Sequence, residues 1–486
     1  MNGILSILIW FPIFSAIPLL FFKNRNFILG YGFVVLLFEF LLSLLPISNF
    51  KLDGGFQFIE KYNWIKNFNI NYYLGVDGLS FLIIILTTLL SLIGFLSSVN
   101  LIRNRENEFA FWYLILTGSL VGVFSSLDLF LFFIFYEFSL IPSYFLILIW
   151  GDEERVRASY KFILYTAFSS VLLLVSIIII YLQFRTFDYI QLLEQIPLLK
   201  QQISILLFIS FAIAFSVKTP VFPLHGWLPD TYTNAPTSVA LIIAGIMAKI
   251  GSYGFLRFLI PFFPQLSVDY SSVFIVLSII SIIYGGILAY TQDNLKRLIA
   301  YSSFSHMGFI TLGIFSLNYY GIAGSSIQIL NHGISTGALF LIAGMIYERY
   351  KTNSISELSG LVRSIPVLIV FFGIFMLSSV GLPGTNGFIG EFLILLGTSL
   401  NNFSYAILAV IGIVISVIYM LPAFQNISYL ELKLKKVKDL EIREWFILTP
   451  LLILVFSIGI YPNFILNYLK KPSEYMVNII KKGGDR

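Results

Sequence analysis

Long apolar runs separated by short polar stretches dominate this sequence. Fourteen of the runs are long enough, at roughly 20 residues each, to cross about 30 Å of hydrocarbon as a helix. The pattern therefore predicts an all-α polytopic membrane protein with about 14 transmembrane helices. The predicted helices start near Ile4, Phe27, Leu79, Phe109, Leu129, Phe162, Ile203, Thr237, Val273, Leu298, Ile322, Val367, Ser404 and Phe446.

Two blocks of five helices follow one another at a nearly constant spacing. Helices 4 to 8 and helices 9 to 13 start 160 to 169 residues apart. Because five is an odd number, the second block is predicted to be inverted in the membrane. Helices 7 and 12 are predicted to be broken, at Pro220 and Pro383. The sequences at the two breaks are similar: residues 216–220 read SVKTP and residues 379–383 read SVGLP. Paired broken helices in inverted repeats indicate a transport site near the midplane.

This organisation divides the chain into four predicted parts. Residues 1–108 hold helices 1 to 3 with a loop on the outer side, and residues 109–258 form the first inverted repeat. Residues 273–421 form the second repeat, and residues 446–486 hold the last helix and a tail.

Composition excludes several classes of protein. Hydrophobic residues make up 58% of the 486 residues and charged residues only 11%, whereas a soluble domain has about 25% charged residues. The absence of cysteine excludes disulfides, thiolate metal sites and iron–sulfur ligation by this chain. Most of the 30 Lys and Arg residues fall in loops on one side of the membrane, which predicts an outer N-terminus. The net charge of +5 therefore does not require that the protein binds nucleic acid.

Six ionisable residues interrupt the apolar runs. A charge at the bilayer centre costs about 2.5–3.5 kcal/mol on insertion scales, so such groups are expected to have a function. Carboxylate, amine and imidazole groups are also the types that exchange protons near neutral pH when they are buried beside charged neighbours. The six candidates for a proton relay are Glu137, Lys218, Lys249, His306, His332 and Glu391.

Each candidate also has a structural alternative. Glu137 and the two lysines could tie helices together, the histidines could be satisfied core residues, and Glu391 could cap a restarted helix. The sequence favours Glu137 and Lys218 as a pair, with the other groups passing the proton onward to Glu391. Three further features receive structural assignments: Glu39 packs or faces lipid, His225 is a surface or interface residue, and residues 432–443 are a solvated or interfacial connector.

The motifs around these residues resemble a known family. Residues 218–230 read KTPVFPLHGWLPD, residues 248–251 read AKIG, residues 294–308 read NLKRLIAYSSFSHMG, and residues 331–333 read NHG. Together with residues 136–138 (YEF) and 235–237 (APT), this text is similar to the proton-translocating family that joins the antiporter-like subunits of complex I to Mrp cation/proton antiporters. The resemblance runs from about residue 75 to residue 421.

The resemblance implies roles for the same six residues. Glu137 and Lys218 are the coupling pair, Lys249 is the central relay, His306 and His332 connect, and Glu391 is the terminal site. A glutamate at 391, where sibling subunits and the Mrp D-type antiporter carry lysine, favours a complex I subunit. Gly226 and residues 232–234 depart from the family's commoner Thr and Ala-His-x-Glu, which affects loop contacts.

The predicted function is a proton-translocating membrane-arm subunit of an NADH (or ferredoxin):quinone oxidoreductase, with no redox catalysis in this chain. The resemblance implies that this chain binds no cofactor, and that NAD, FMN, iron–sulfur clusters and quinone belong to partner subunits. The implied partners are other membrane-arm subunits, including homologous antiporter-like subunits on either side, and lipids. A bacterial inner membrane is the favoured location, with a thylakoid or mitochondrial inner membrane as alternatives. The alternative functions are a subunit of an Mrp-type antiporter, a subunit of a membrane-bound hydrogenase complex, and a non-catalytic scaffold.

Overall fold

The computed structural model describes residues 3–484, with side chains to residue 482, as a bundle of long helices. Fourteen segments in this range cross the bundle, and they are numbered here in chain order. Thirteen are single helices long and apolar enough to span a membrane, and segment 12 consists of two shorter helices. Segments 1 to 14 are Ile4–Phe21, Arg25–Asn49, Gly78–Ser98, Glu106–Ser125, Leu129–Trp150, Arg155–Phe184, Gln201–Lys218, Thr237–Phe262, Ser271–Tyr290, Leu295–Phe315, Tyr319–Tyr350, Pro366–Ser379 with Asn386–Asn401, Phe403–Tyr429 and Ile442–Ile460.

The segments confirm the predicted polytopic fold, and every predicted start lies close to an observed one. The boundary between segments 4 and 5 is set by Asp128, whose carboxylate accepts hydrogen bonds from the backbone N–H groups of Phe130 and Leu131. This side chain satisfies two of the donors that a helix start leaves unpaired. The apolar pattern therefore located the helices, and a capping residue marks this boundary.

Segments 7 and 12 are both broken, as predicted. Segment 7 stops at Lys218 and a short helix, Leu228–Asn234, follows the break. At the first break the N–H of Val221 donates to Ser216 O at 2.9 Å, and at the second the N–H of Leu382 donates to Leu377 O at 3.0 Å. These matching bonds lie 161 positions apart, not the 163 implied by the shared SVxxP text. The structural counterpart of Lys218 is therefore Ser379.

The inverted repeats share a backbone bridge at equivalent positions. Asp128 pairs with Asp188 and Asn294 pairs with Ser354, and each member of the second bridge lies 166 positions after its counterpart. Both Asp128 and Asn294 also cap the segment that follows them, segments 5 and 10. The repeats therefore share capping and bridging geometry even where their side chains differ.

Burial separates the centre of the bundle from its rim. The most apolar windows of segments 8 and 11 are entirely buried, whereas those of segments 1, 2, 6, 13 and 14 are less than half buried. Bilayer hydrocarbon solvates the exposed apolar side chains of such rim helices. Segments 8 and 11, which carry Lys249 and His332, therefore lie at the centre.

Two elements were not predicted from the sequence. The predicted outer loop contains an antiparallel hairpin, β1 (Gln57–Ile65) with β2 (Ile70–Val76), and the predicted tail contains the helix Asn463–Gly484. Both lie on one side of the bundle, called the hairpin face here; the N–H of Leu5 donates to Glu60 of β1 on this face. The remaining short helices are Lys66–Phe68, Tyr189–Gln195, Ile196–Leu198, Pro264–Asp269 and Leu361–Arg363.

Candidate functional site

Lys249 occupies the centre of segment 8, where the helix changes its hydrogen-bonding register. Residues Ile243–Met247 are π-helical, so the N–H of Ala248 donates to Ile243 O at 3.0 Å and does not use the carbonyl of Ala244. The ammonium of Lys249 donates to this free carbonyl at 2.7 Å. Single-turn π-helical segments occur frequently at functional sites. Here the π-helical turn supplies a fixed acceptor for a fully buried cation.

Two glycines bring segments 8 and 11 close together beside Lys249. A Cβ added at Gly333 would lie 2.9 Å from Gly245 O and 2.9 Å from the side chain of Leu86. Residues without side chains let helix backbones approach closely in a membrane. This approach sets Lys249 Nζ against the imidazole of His332, and the two form a short hydrogen bond through His332 Nδ1.

The two histidines continue from Lys249 towards segment 12. Their ring centroids are 5.8 Å apart. His306 Nδ1 lies 3.1 Å from Glu391 Oε1, and His306 Nε2 lies 3.2 Å from the hydroxyl of Ser379. The sequence did not order the histidines, and the structure places His332 beside Lys249 and His306 beside Glu391. Four of the six predicted residues therefore form one buried row.

A small cavity is lined by both histidines. Its volume is about 10 Å³, which is room for about one water. Besides the histidines, hydroxyl and amide side chains line it, including Gln328, Asn331 and Ser335. The two rings have no direct hydrogen bond in the part of the chain that the structure describes, and a water in this cavity could connect them.

Glu391 is held at the break in segment 12. The amide of Gln328 donates to Glu391 Oε1 at 3.4 Å, and the backbone of Gly381 adopts a positive φ of 75° directly beside the carboxylate. A Cβ at Gly381 would lie 2.7 Å from Glu391 Oε2. Gly381 therefore meets two demands at once, a left-handed backbone and space for the carboxylate.

The other two predicted residues form a separate group. Lys218 is fully buried at the last turn of segment 7, and its ammonium lies 4.8 Å from the centroid of the Tyr136 ring. Within residues 3–484, Lys218 Nζ has no hydrogen-bond partner, and neither has Glu137 Oε1. Glu137 and Lys218, the predicted pair, make no direct ion pair among the described residues, but their charges lie close enough to interact electrostatically. An aromatic face is a weaker partner than a carboxylate, which leaves the lysine ready to accept a better one.

Several polar residues of this site were not singled out from the sequence. Gln328, Asn331, Asn386 and Ser379 contact one another or the relay, for example through the bond from Asn331 Nδ2 to Asn386 O at 2.7 Å. Their polar side chains in otherwise apolar helices are the feature of the sequence that could have indicated these residues. Arg257, also not singled out from the sequence, lies inside segment 8, where it is buried and paired with Asp77 at 2.7 Å.

The residues given structural assignments also have definite places. Glu39 is fully buried and both its oxygens lack a hydrogen-bond partner within the described residues, so it packs inside the bundle and does not face lipid. The half-buried ring of His225 stacks on Phe304 at 4.1 Å between centroids. The connector before segment 14 is irregular, and its Asp439 accepts a hydrogen bond from the N–H of Val367 at 2.7 Å, near the start of segment 12.

The face opposite the hairpin face carries a network of ion pairs around the first break. Asp230 accepts from Lys161 at 2.7 Å and lies 3.5 Å from Arg297, and Lys296 pairs with Asp152 at 2.9 Å. These pairs join the two repeats across their connecting loops. A Cβ added at Gly226 would lie 2.8 Å from the hydroxyl of Tyr165 in the same region, so the departures from the family's sequence lie near this network and not among the relay residues.

The described residues contain no group of three or more His, Asp or Glu side chains arranged to hold a metal ion. The buried row instead consists of groups that can each take up or give up a proton. An ammonium, two imidazoles and a carboxylate each exist in two protonation states, so the row can hold protons and, with a water between the rings, transfer them.

Comparison with known proteins gives a consistent result. The family model described as NADH:quinone oxidoreductase/Mrp antiporter matches residues 126–418, and that described as the amino terminus of NADH-ubiquinone oxidoreductase chain 4 matches residues 7–123. NADH-quinone oxidoreductase subunit M of Rickettsia prowazekii is 39% identical over 476 residues, 96% of each chain.

Solved structures share the fold. A chain of respiratory complex I from Thermus thermophilus superposes with a TM-score of 0.91 at 31% identity, covering 98% of this chain and 99% of that one. A chain of the Mrp complex from Dietzia superposes with a TM-score of 0.87 at 21% identity, covering 99% of each chain. At this identity, the similarity to the Mrp chain shows a shared fold only.

Proposed function

This chain belongs to the subunit M (chain 4) family of NADH:quinone oxidoreductase and is a proton-translocating membrane-arm subunit; from that premise we propose that its own buried residues carry the protons. The observation that carries the proposal is the row Lys249, His332, His306 and Glu391. Its members meet through one hydrogen bond, one pair of rings 5.8 Å apart and one contact of 3.1 Å.

A proton can move along this row without large side-chain motions. The Lys249 ammonium gives a proton to His332 Nδ1, and a water in the small cavity passes a proton on to His306. His306 then protonates Glu391, from which the proton leaves. Each transfer exchanges one bond to hydrogen for another, so no atom is gained or lost. A hydrogen-bonded or one-water distance is what general acid–base transfer requires.

Glu137 and Lys218 regulate the movement of protons along this row. In the observed state the Lys218 ammonium lies against an aromatic ring, and the Glu137 carboxylate acts on it only at a distance, without a hydrogen bond. Motion of Glu137 towards Lys218 would stabilise the ammonium and take up a proton, and motion away would release it. Glu137 is half-buried, which lets a neighbouring subunit influence its position. Redox energy released elsewhere would reach the row by this route.

Other parts of the assignment follow from the same premise. The chain works within a complex with other membrane-arm subunits, and we place homologous antiporter-like subunits and lipids at its sides. NAD, FMN, iron–sulfur clusters and quinone are assigned to partner subunits. The basic loops lie on the face opposite the N-terminus, which supports an outer N-terminus, with the bacterial inner membrane as the favoured location.

An Mrp-type antiporter is the less well supported alternative, because the similarity to the Mrp chain is one of fold and the amino-terminal family model is that of chain 4.

The proposal is tested with the variants Glu137→Gln and Lys218→Ala in the assembled complex, with NADH-driven proton translocation and NADH:quinone activity measured in membrane vesicles. Both activities should fall strongly. Normal stoichiometry in both variants would show that the two residues are only struts between helices.

A further inference from the structure

The central lysine has a third partner that the row described above does not include. Lys249 Nζ donates to the thioether sulfur of Met307 at 3.6 Å, in addition to Ala244 O at 2.7 Å and its bond with His332 Nδ1. These partners lie on three different segments, 10, 8 and 11 respectively. A thioether sulfur is a weak hydrogen-bond acceptor, and it carries no proton of its own.

The acceptors around Lys249 match the donors of its ammonium in number. A lysine ammonium has three N–H groups and no lone pair. The carbonyl, the sulfur and the imidazole nitrogen supply one acceptor each. The side chains of Lys249 and Met307 are both fully buried, and a buried N–H group without a partner is costly. The sulfur therefore completes the surroundings that a buried ammonium requires.

The same acceptors also suit the amine that remains after proton transfer. When Lys249 Nζ gives its proton to His332 Nδ1, one N–H bond breaks, another forms, and the amine keeps two N–H groups and one lone pair. Ala244 O and Met307 Sδ can accept the two N–H groups, which leaves the lone pair directed at His332. Because the sulfur accepts only weakly, it orients the amine without competing for the transferred proton.

Contacts on both sides of Met307 fix the orientation of segment 10. Ser305 Oγ donates to a backbone carbonyl of segment 9 at 2.8 Å, and a Cβ added at Gly308 would lie 2.9 Å from another carbonyl of that segment. This close packing restricts the rotation of segment 10 about its axis. Met307 directly follows His306 in the chain, so one helix orientation places the sulfur at the central lysine and the imidazole at the end of the row.

We propose that Met307 is a positioning residue of the proton relay, whose sulfur accepts a hydrogen bond from Lys249 and keeps the lone pair of the deprotonated amine directed at His332 Nδ1. The inference rests on the proposed function, since it requires Lys249 to carry protons. It gives the sulfur a role beyond the filling of irregular space, which is the common use of methionine in a core.

Two substitutions separate this role from packing, because the two roles predict opposite orders of activity. Met307→Leu keeps an apolar side chain of similar volume, a change that cores tolerate, but it removes the acceptor. Met307→Gln places an amide oxygen, a stronger acceptor, within one bond length of the position of the sulfur, but it brings a polar group into an apolar site. A packing role therefore favours leucine, and an orienting role favours glutamine.

The measurement is NADH-driven proton translocation in membrane vesicles, normalised to the amount of assembled complex. Loss of the orienting bond should slow translocation in Met307→Leu at least about tenfold, since small misplacements of a reacting group cost that much or more. Met307→Gln should pump faster than Met307→Leu, although its amide should make the complex less stable to heat. Normal pumping in Met307→Leu, or slower pumping in Met307→Gln than in Met307→Leu, would overturn the inference.

Met420→Leu is the matched control. Met420 is only 1% exposed, and its sulfur accepts no hydrogen bond among the residues that the structure describes. This variant should pump normally, and a loss equal to that of Met307→Leu would show that the effect comes from methionine packing and not from the bond to Lys249. Normal pumping in Met307→Leu together with loss of pumping in Glu137→Gln and Lys218→Ala would remove the role of the sulfur and leave the proposed function intact.

Discussion

Replacement of Lys249 by methionine is the most informative perturbation of the central row. The ammonium is fully buried, donates to Ala244 O at 2.7 Å and is bonded to His332. Methionine has nearly the same length and fills the same space, but it cannot hold a proton. The change therefore removes the proton carrier while leaving the packing of segments 8 and 11 almost intact.

The expected loss of rate follows from the burial of this site. Without the ammonium, a proton crossing the gap would be an ion held by no side chain, and a buried uncompensated ion costs several kcal/mol. We take about 3 kcal/mol as the lower end of this cost and add it to the barrier for proton transfer. Each 1.36 kcal/mol of barrier slows a reaction about tenfold, so proton transfer should slow about 100-fold. Assembly should survive, because replacing a buried charge by a well-packed apolar group is often neutral for stability.

The assay is NADH-driven acidification of inverted membrane vesicles, together with NADH:quinone activity, normalised to the amount of assembled complex. Lys296→Met is the matched control, because Lys296 is only 2% exposed and paired with Asp152, but lies outside the row. Lys249→Met should lose pumping and Lys296→Met should keep it per complex. Wild-type proton stoichiometry in assembled Lys249→Met complex would refute the row as the path.

Three further predictions address the ends and supports of the site. Glu391→Gln keeps the shape of the side chain but accepts no proton, so translocation in vesicles should fall more than the abundance of the complex; a fall in abundance alone would favour a capping role. Gly333→Ala should slow translocation several-fold by pushing a methyl group against Gly245 O, 2.9 Å away, and separating the helices; unchanged pumping would show that their close approach is dispensable. Burial raises the pKa of Asp128 to about 6, so its folded pKa exceeds the unfolded value. The stability contribution is therefore full below about pH 4 and is lost as the pH rises through 6, at about 1.36 kcal/mol per unit. Asp128→Asn, which copies the cap at Asn294, should flatten the pH dependence of thermal stability between pH 4 and 6, and an unchanged slope would exclude Asp128 as its source.

The membrane fold could be predicted from the sequence almost completely. Helix starts, the repeat and both breaks follow from apolar periodicity and proline, because each transmembrane helix satisfies its own backbone hydrogen bonds and needs no partner to define it. The hairpin β1–β2 and the amphipathic helix Asn463–Gly484 were not predicted, since their pairing and burial depend on contacts with the bundle surface.

The candidate residues could also be predicted, because an ionisable side chain in an apolar run is conspicuous at any position. Their arrangement could not. The sequence favoured Glu137 and Lys218 as a pair; the folded chain leaves the two within electrostatic range and sets the Lys218 ammonium against the Tyr136 ring. Arg257 was not singled out from the sequence, and the fold pairs it with Asp77, which is distant in sequence.

The sequence by itself determined which residues cross the membrane and which of them carry a titratable group. Only the tertiary structure decided which of those groups touch. Contacts such as His306 with Glu391 depend on the π-helical turn in segment 8, the close glycines and the break at Gly381, which together fix the rotation and spacing of neighbouring helices. The rotation and spacing of the helices arise from packing between segments far apart in the chain, so the local pattern of apolar residues does not determine them.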